Sequence, residues 1–181
     1  MAVPAYDTVL INGSVGTGKT TTAEALGAEL ERRDIPGATI DVDWLRRAWP
    51  APSDDPFQTT LALDNLQTIA ANFRRAGAQV LIVAAVIETP DELRRTAIAL
   101  GSNQLLHVRL TAASDTVLSR LTVRHSDDAA ALEWHAQRHP ELARILDQAG
   151  FTNDLRIDTT HKPANEAAQQ ILTRLVMAGR G

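Results

Sequence analysis

Residues Gly13-Ser14-Val15-Gly16-Thr17-Gly18-Lys19-Thr20 set glycines, one lysine and one hydroxyl at the spacing G-x-x-x-x-G-K-[ST]. That pattern suits a polyphosphate. Glycines let the backbone approach an anion closely, and successive N–H groups opening a helix turn partial positive charge toward it. Lys19 is expected to reach the β- and γ-phosphates and the Thr20 hydroxyl to ligate Mg²⁺, with Thr21 next in the same helical turn. Of the 18 basic residues only Lys19 and Lys162 are lysines. A chain so biased toward arginine has lysine in the loop, where a compact ammonium fits and a planar guanidinium does not.

Asp41 and Asp43 end an expected strand over 38–43, and residues two apart on a strand point to one face. Two carboxylates placed together repel unless a cation or a substrate lies between them. Asp41 is therefore a candidate to sit near Mg²⁺, through water. Asp43 is a candidate to orient or deprotonate an acceptor hydroxyl, and its other reading is the N-cap of a short helix over 44–47. Arg46 either holds an anionic group of the acceptor or is a surface arginine; Trp44 reads as core before it reads as a stacking platform. Glu88 either faces the acceptor or caps the helix that follows it. The third strand ends Val86-Ile87-Glu88 without an aspartate, which argues against a mechanical or AAA-type ATPase. It suits kinases that fix Mg²⁺ through the loop hydroxyl, waters and the second strand.

The elements that must position these groups alternate along the chain. Strands are expected over 6–12, 38–43, 79–87, 105–110 and 155–158. The 79–87 run is apolar throughout, as a central strand covered on both faces should be. Helices are expected from the glycine-rich loop to about 33, over 57–76 with Gly77 closing it, from Pro90, over 114–125 and over 163–177. A charged helical region over 127–149 is expected to be interrupted by Pro140. Five strands with crossover helices imply an α/β fold, a three-layer α/β/α sandwich on a five-stranded parallel sheet, as one domain spanning 1–181. Ligands in such sheets bind outside the carboxyl ends of the strands, which is where the residues above fall.

The loop followed by Asp41, Asp43 and Arg46 as Asp-x-Asp-x-x-Arg resembles the P-loop small-molecule kinases of the nucleoside-monophosphate-kinase-like group: adenylylsulfate, shikimate and gluconate kinases and chloramphenicol phosphotransferase. Val117-Leu118-Ser119-Arg120-Leu121-Thr122-Val123-Arg124 is similar to the adenylate kinase segment that enters the lid. Leu155 to Pro163 resembles that family's loop against the adenine edge. The resemblance implies a P-loop NTPase fold with a small helical lid over about 124–140, and ATP with Mg²⁺ as cofactors. It implies Arg120 packed on the adenine, Arg124 on the phosphates as a catalytic residue with Lys19 and Asp43, and Thr160, Lys162 and Pro163 against the base. Arg138 is a further candidate. The activity implied is transfer of the γ-phosphoryl group to a hydroxyl of a small metabolite or antibiotic. Two alternatives stand beside it. A nucleoside monophosphate kinase would need several arginines at the acceptor, where Arg46, Arg47, Arg74 and Arg75 are available and Arg74-Arg75 read as solvated. The other is a nucleotide-binding protein without transfer activity.

Composition sets the bounds. With 44% hydrophobic and 22% charged residues and a net charge of −4 over 181 residues, the chain reads as one globular domain. It has no basic block for an extended nucleic-acid surface. Cysteine is absent, which removes disulfides and thiolate chemistry, and the five histidines are scattered, so no protein metal centre is expected. The first residues lack the pattern of a signal peptide and no apolar run reaches membrane-spanning length. A cytoplasmic monomer or homodimer is expected.

Overall fold

A computed structural model describes residues 4–177. The elements run β1 (Thr8–Gly13), α1 (Lys19–Glu31), β2 (Gly37–Asp41), α2 (Val42–Leu45), α3 (Thr59–Arg75), β3 (Val80–Ala85), α4 (Pro90–Ala99), β4 (Leu105–Thr111), α5 (Ser114–Arg124), α6 (Ala129–Gln148), β5 (Leu155–Asp158) and α7 (Ala164–Met177). The strands pair in parallel in the order β2-β3-β1-β4-β5.

Alternation along β1 divides the interior in two. Val9 and Ile11 pack with Leu26 and Leu30 of α1 and with Ile171 and Leu175 of α7. Leu10 turns to the opposite face, with Leu66 and Ala70 of α3 and Val83 of β3. Every residue of β3 is buried, so its apolar run is what two covered faces require. Each large aliphatic side chain so enclosed stabilises the fold by about 1.5–3 kcal/mol.

The chain leaves β1 toward β2 on one side, while the β3–β4 connection carries it to the other. The carboxyl end of β1 is therefore where the crossovers part, and a crevice opens there. Asn12, buried one residue before that end, extends the sheet with its side chain. Its Nδ2 donates to the Ile87 carbonyl at 3.0 Å and its Oδ1 accepts the Ile87 N–H at 3.1 Å. This amide clamp, just past β3, holds Glu88 beside the crevice.

Two expectations are corrected. Pro140 does not interrupt the 127–149 region: α6 runs through it as one helix. Loss of the Pro140 N–H removes one intrahelical bond, but buried His139, Leu142 and Leu146 around it hold the helix in place. Arg74 is not simply solvated. It donates to the carbonyls of Gln79 and Asp7 and to Thr8 Oγ1 at 2.9–3.1 Å, bracing the end of α3 against the start of β1.

Candidate active site

The loop between β1 and α1 takes its shape from two left-handed residues, Gly16 at φ 77° and Gly18 at φ 90°. A side chain is strained at either position, and a Cβ on Gly16 would lie 2.6 Å from Val117 Cγ1. Gly18 is the N-cap of α1, which begins with no side-chain cap and no acidic residue in its first turn. The N–H groups of that turn have no partner within the helix, so they face an incoming anion. Gly13 and Ser14 lie beneath this surface, buried; residues 15–22 line the cleft above it. Lys19 Nζ donates to the Ser14 carbonyl at 3.1 Å. Burial lowers its pKa to about 8 against the attraction of Asp43 and then Asp41, with Arg124 and Arg109 adding to the downward push.

The carboxylates are arranged differently from the strand expected over 38–43. β2 stops at Asp41, and Asp43 stands in the first turn of α2. The cap of α2 is Asp41, whose Oδ1 accepts the Asp43 N–H at 3.0 Å. Turning back onto an amide two residues ahead ends the strand, which periodicity alone does not reveal. Asp41 Oδ2 accepts from Thr20 Oγ1 at 2.6 Å. Asp43, relieved of capping, is exposed to the cleft with Arg46 Nε 3.8 Å from its Oδ1. The Thr20 hydroxyl and the Asp41 carboxylate are hard oxygen donors of the kind that Mg²⁺ takes, and they meet at the phosphate loop, so this pair fits the cation. Among the described residues no cluster of three His, Cys, Asp or Glu could hold a metal.

The cleft measures about 1250 Å³. On the side formed by α5 and the segment after β5, Arg120 donates to the Gly16 carbonyl at 3.3 Å and to Thr159 through its Oγ1 at 3.2 Å and its carbonyl at 2.6 Å. Thr159 Oγ1 also lies 2.9 Å from the Thr17 carbonyl. Together they tie the phosphate loop to the segment after β5. Lys162 and Pro163 line the cleft, whereas Thr160 does not. The Thr160 hydroxyl donates to Asp158 at 2.6 Å and accepts the Ala113 N–H at 2.9 Å, while its buried neighbour Thr159 is among the lining residues. Arg124, exposed at the end of α5, faces the same space.

On the far side Glu88 does not cap α4; Thr89 does, accepting the Glu92 N–H at 3.1 Å. Glu88 Oε1 instead meets Arg138 Nη2 at 2.8 Å, and Arg138 Nη1 lies 2.6 Å from Glu141. Trp44 is not core. It is exposed in the cleft, with the Arg47 guanidinium 4.3 Å from its ring centre.

His139 has no counterpart in the sequence reading. Buried on α6, its Nδ1 lies 3.0 Å from Ser14 Oγ and 3.2 Å from the Val15 carbonyl. A carbonyl only accepts, which assigns the proton to Nδ1. Burial lowers the His139 pKa against the Val15 bond, and Arg109 lowers it further, so the neutral ring spans helix and loop. His139→Ala is expected to cost about 2 kcal/mol of stability, the range for an orphaned buried hydrogen-bonding group. That corresponds to about 4–8 °C in Tm for a chain of this size. Thermal unfolding checks it; an unchanged midpoint would mean that α6 is not tethered to the loop.

A phosphate-binding loop at the carboxyl end of the central strand of an all-parallel sheet, faced by Asp41 at the end of β2, Asp43 of α2 and arginines of α5, defines a P-loop nucleotide-binding protein. A family model described as AAA domain matches residues 9–137, and the chain belongs to that P-loop family. Adenylyl-sulfate kinase of Paraburkholderia xenovorans (strain LB400) is 30% identical over 178 residues, 95% of this chain and 94% of that protein. A gluconokinase from Sinorhizobium meliloti 1021 shares the fold, with a TM-score of 0.63 at 18% identity over 98% of this chain and 97% of that one. The tunicamycin resistance protein of Deinococcus radiodurans aligns with a TM-score of 0.60 at 25% identity over 92% of this chain and 94% of that one. The chain is a P-loop kinase that uses ATP. Membership also qualifies the inference drawn from β3: the strand lacks a terminal aspartate, yet the domain is matched as an AAA domain.

Proposed function

We propose that the enzyme transfers the γ-phosphoryl group of ATP to a hydroxyl of a small metabolite or antibiotic held between α2, α4 and α6. One observation carries this reading: Asp43 and the phosphate loop open onto the same cleft, with Asp43 the strongest attraction acting on the Lys19 ammonium. Asp43 accepts the proton of the acceptor hydroxyl as its oxygen bonds to the γ-phosphorus; the bond to the β–γ bridging oxygen breaks, and ADP leaves. Lys19 and Arg124 hold the charge on the transferring oxygens, while Arg120, Lys162 and Pro163 form the nucleotide wall. The Thr20 hydroxyl and Asp41 hold Mg²⁺, which when bound neutralises phosphate charge. Residues 124–140 act as the lid of a single cytoplasmic domain, monomeric or homodimeric, with His139 anchoring its far end. A nucleoside monophosphate is a poorer acceptor, because Arg74 braces β1 and Arg46 faces Asp43. Purified protein with ATP and Mg²⁺, screened against hydroxylated metabolites and antibiotics, is expected to release ADP in an acceptor-dependent way. ATP binding with no acceptor in such a library would sink the transfer activity and leave a nucleotide-binding protein.

A further inference from the structure

All three tryptophans of the chain are exposed: Trp44 at 69%, Trp49 at 88% and Trp134 at 54%, with Phe57 at 57%. Among the described residues no Phe, Tyr or Trp is fully buried; Tyr6, Phe73 and Phe151 pack half-buried against an aliphatic core. Tryptophan is highly buried on average, so its place here asks for a ligand-side reason. Trp44, Phe57 and Trp134 come from α2, the 46–58 loop and α6, yet all three line the one cleft that Asp43 also lines. Exposed aromatic faces that converge on one cavity are surfaces for stacking a flat ring.

Three of the four arginines at this end, Arg46, Arg95 and Arg138, face carboxylates. Arg46 faces Asp43 at 3.8 Å and donates to the Phe57 carbonyl at 3.4 Å. Arg138 lies between Glu88 at 2.8 Å and Glu141 at 2.6 Å, and Arg95 meets Asp91 at 3.1 Å. Arg47 is stacked on Trp44. A phosphate or sulfate ester is bound by guanidinium forks with their donors free; here Arg138 and Arg95 hold carboxylates and Arg46 faces one. Glu88 and Glu92 also line the cavity, the Glu92 carboxylate accepting the Glu88 N–H at 2.8 Å. These carboxylates accept from hydroxyl or amino groups and repel an anion.

We infer that the phosphate acceptor is an uncharged or cationic hydroxylated molecule carrying a flat ring, gripped by Trp44, Phe57 and Trp134, and not an anionic nucleotide, sulfate ester or sugar acid. This rests on the transfer activity proposed above.

The test is a library of hydroxylated compounds in four groups: ring-bearing without negative charge (adenosine, uridine, aromatic glycosides), ring-bearing anionic (AMP, UMP, adenylyl sulfate), ring-free without negative charge (sugars, polyols) and ring-free anionic (gluconate, shikimate). Acceptor-dependent ADP release is read for each. The highest kcat/KM is expected in the first group, at least tenfold above any member of the others. For that acceptor, Trp44→Ala and Trp134→Ala are expected to raise acceptor KM about tenfold and leave the KM for ATP within about twofold, while the phenylalanine variants recover most of the affinity; tenfold is about 1.4 kcal/mol, at the upper end of the range for an aromatic pair. A best acceptor from any other group, or acceptor KM unmoved by both alanine variants, overturns the inference while the kinase stands. No turnover in any group, with ATP still raising the thermal midpoint, removes the transfer reading and the inference with it.

Discussion

Lys19→Ala is expected to fold normally and to lose about 10³-fold in kcat/KM, the scale on which a preorganised charge at a transferring phosphoryl group acts. The ammonium is held over the loop by the Ser14 carbonyl and reaches nothing else that packs the core, so the thermal midpoint of the free protein should hardly move. The wild-type lysine carries a second, pH-dependent expectation. Enclosure holds its pKa near 8 in the free protein, and a bound triphosphate favours the charged form, raising it again. A group whose pKa is higher in the complex takes up a proton on binding, so affinity is full below pH 8 and falls as pH rises beyond it, approaching tenfold per unit. Calorimetry at pH 8 in buffers of different ionisation enthalpy should register uptake of about half a proton, as a group titrating at its own pKa requires. Affinity flat from pH 7 to 9.5, or an alanine variant with wild-type turnover, would remove Lys19 from the phosphate site.

Asp43→Asn is expected to cut kcat by about 10²–10³, the usual contribution of a positioned general base, with the KM for ATP nearly constant. The amide keeps the shape of the carboxylate and cannot take the hydroxyl proton. Stability should change little, because α2 is capped by Asp41 and Asp43 is exposed. Asp41→Asn makes the informative control. Its carboxylate accepts from both Thr20 Oγ1 and the Asp43 N–H, so replacement should disturb the short helix and cation dependence together, raising the Mg²⁺ needed for half-maximal rate. Equal rates for Asp43→Asn and wild type on a good acceptor would hand the proton to another group.

Much of this was legible before any coordinates. The spacing from Gly13 to Thr20, a buried run before it and a helix after it give a loop whose geometry is local: two left-handed glycines and an uncapped helix start need no distant partner. The alternation of elements likewise carried the parallel sheet, and strand-end chemistry followed from the rule that crossovers leave their crevice at carboxyl ends. What misread was non-local or depended on one side chain folding back. Asp41 ends β2 by bonding an amide two residues on, so Asp43 leaves the strand. Thr159 and Thr160 are neighbours of equal chemistry, and only the packing of Arg120 and Asp158 decides which hydroxyl ties to the phosphate loop.

Sequence alone therefore determined the phosphate loop, the fold class and the residues at the strand ends, because each rests on periodicity or on contacts within a few residues. Tertiary structure decided what touches them: His139 under the loop from 125 residues away, the Asn12 clamp on Ile87 75 residues on, and the gathering of Trp44, Phe57 and Trp134 around one cavity. Those pairings come from the closure of long loops by core packing, and no local pattern of residues encodes the partner at the far end.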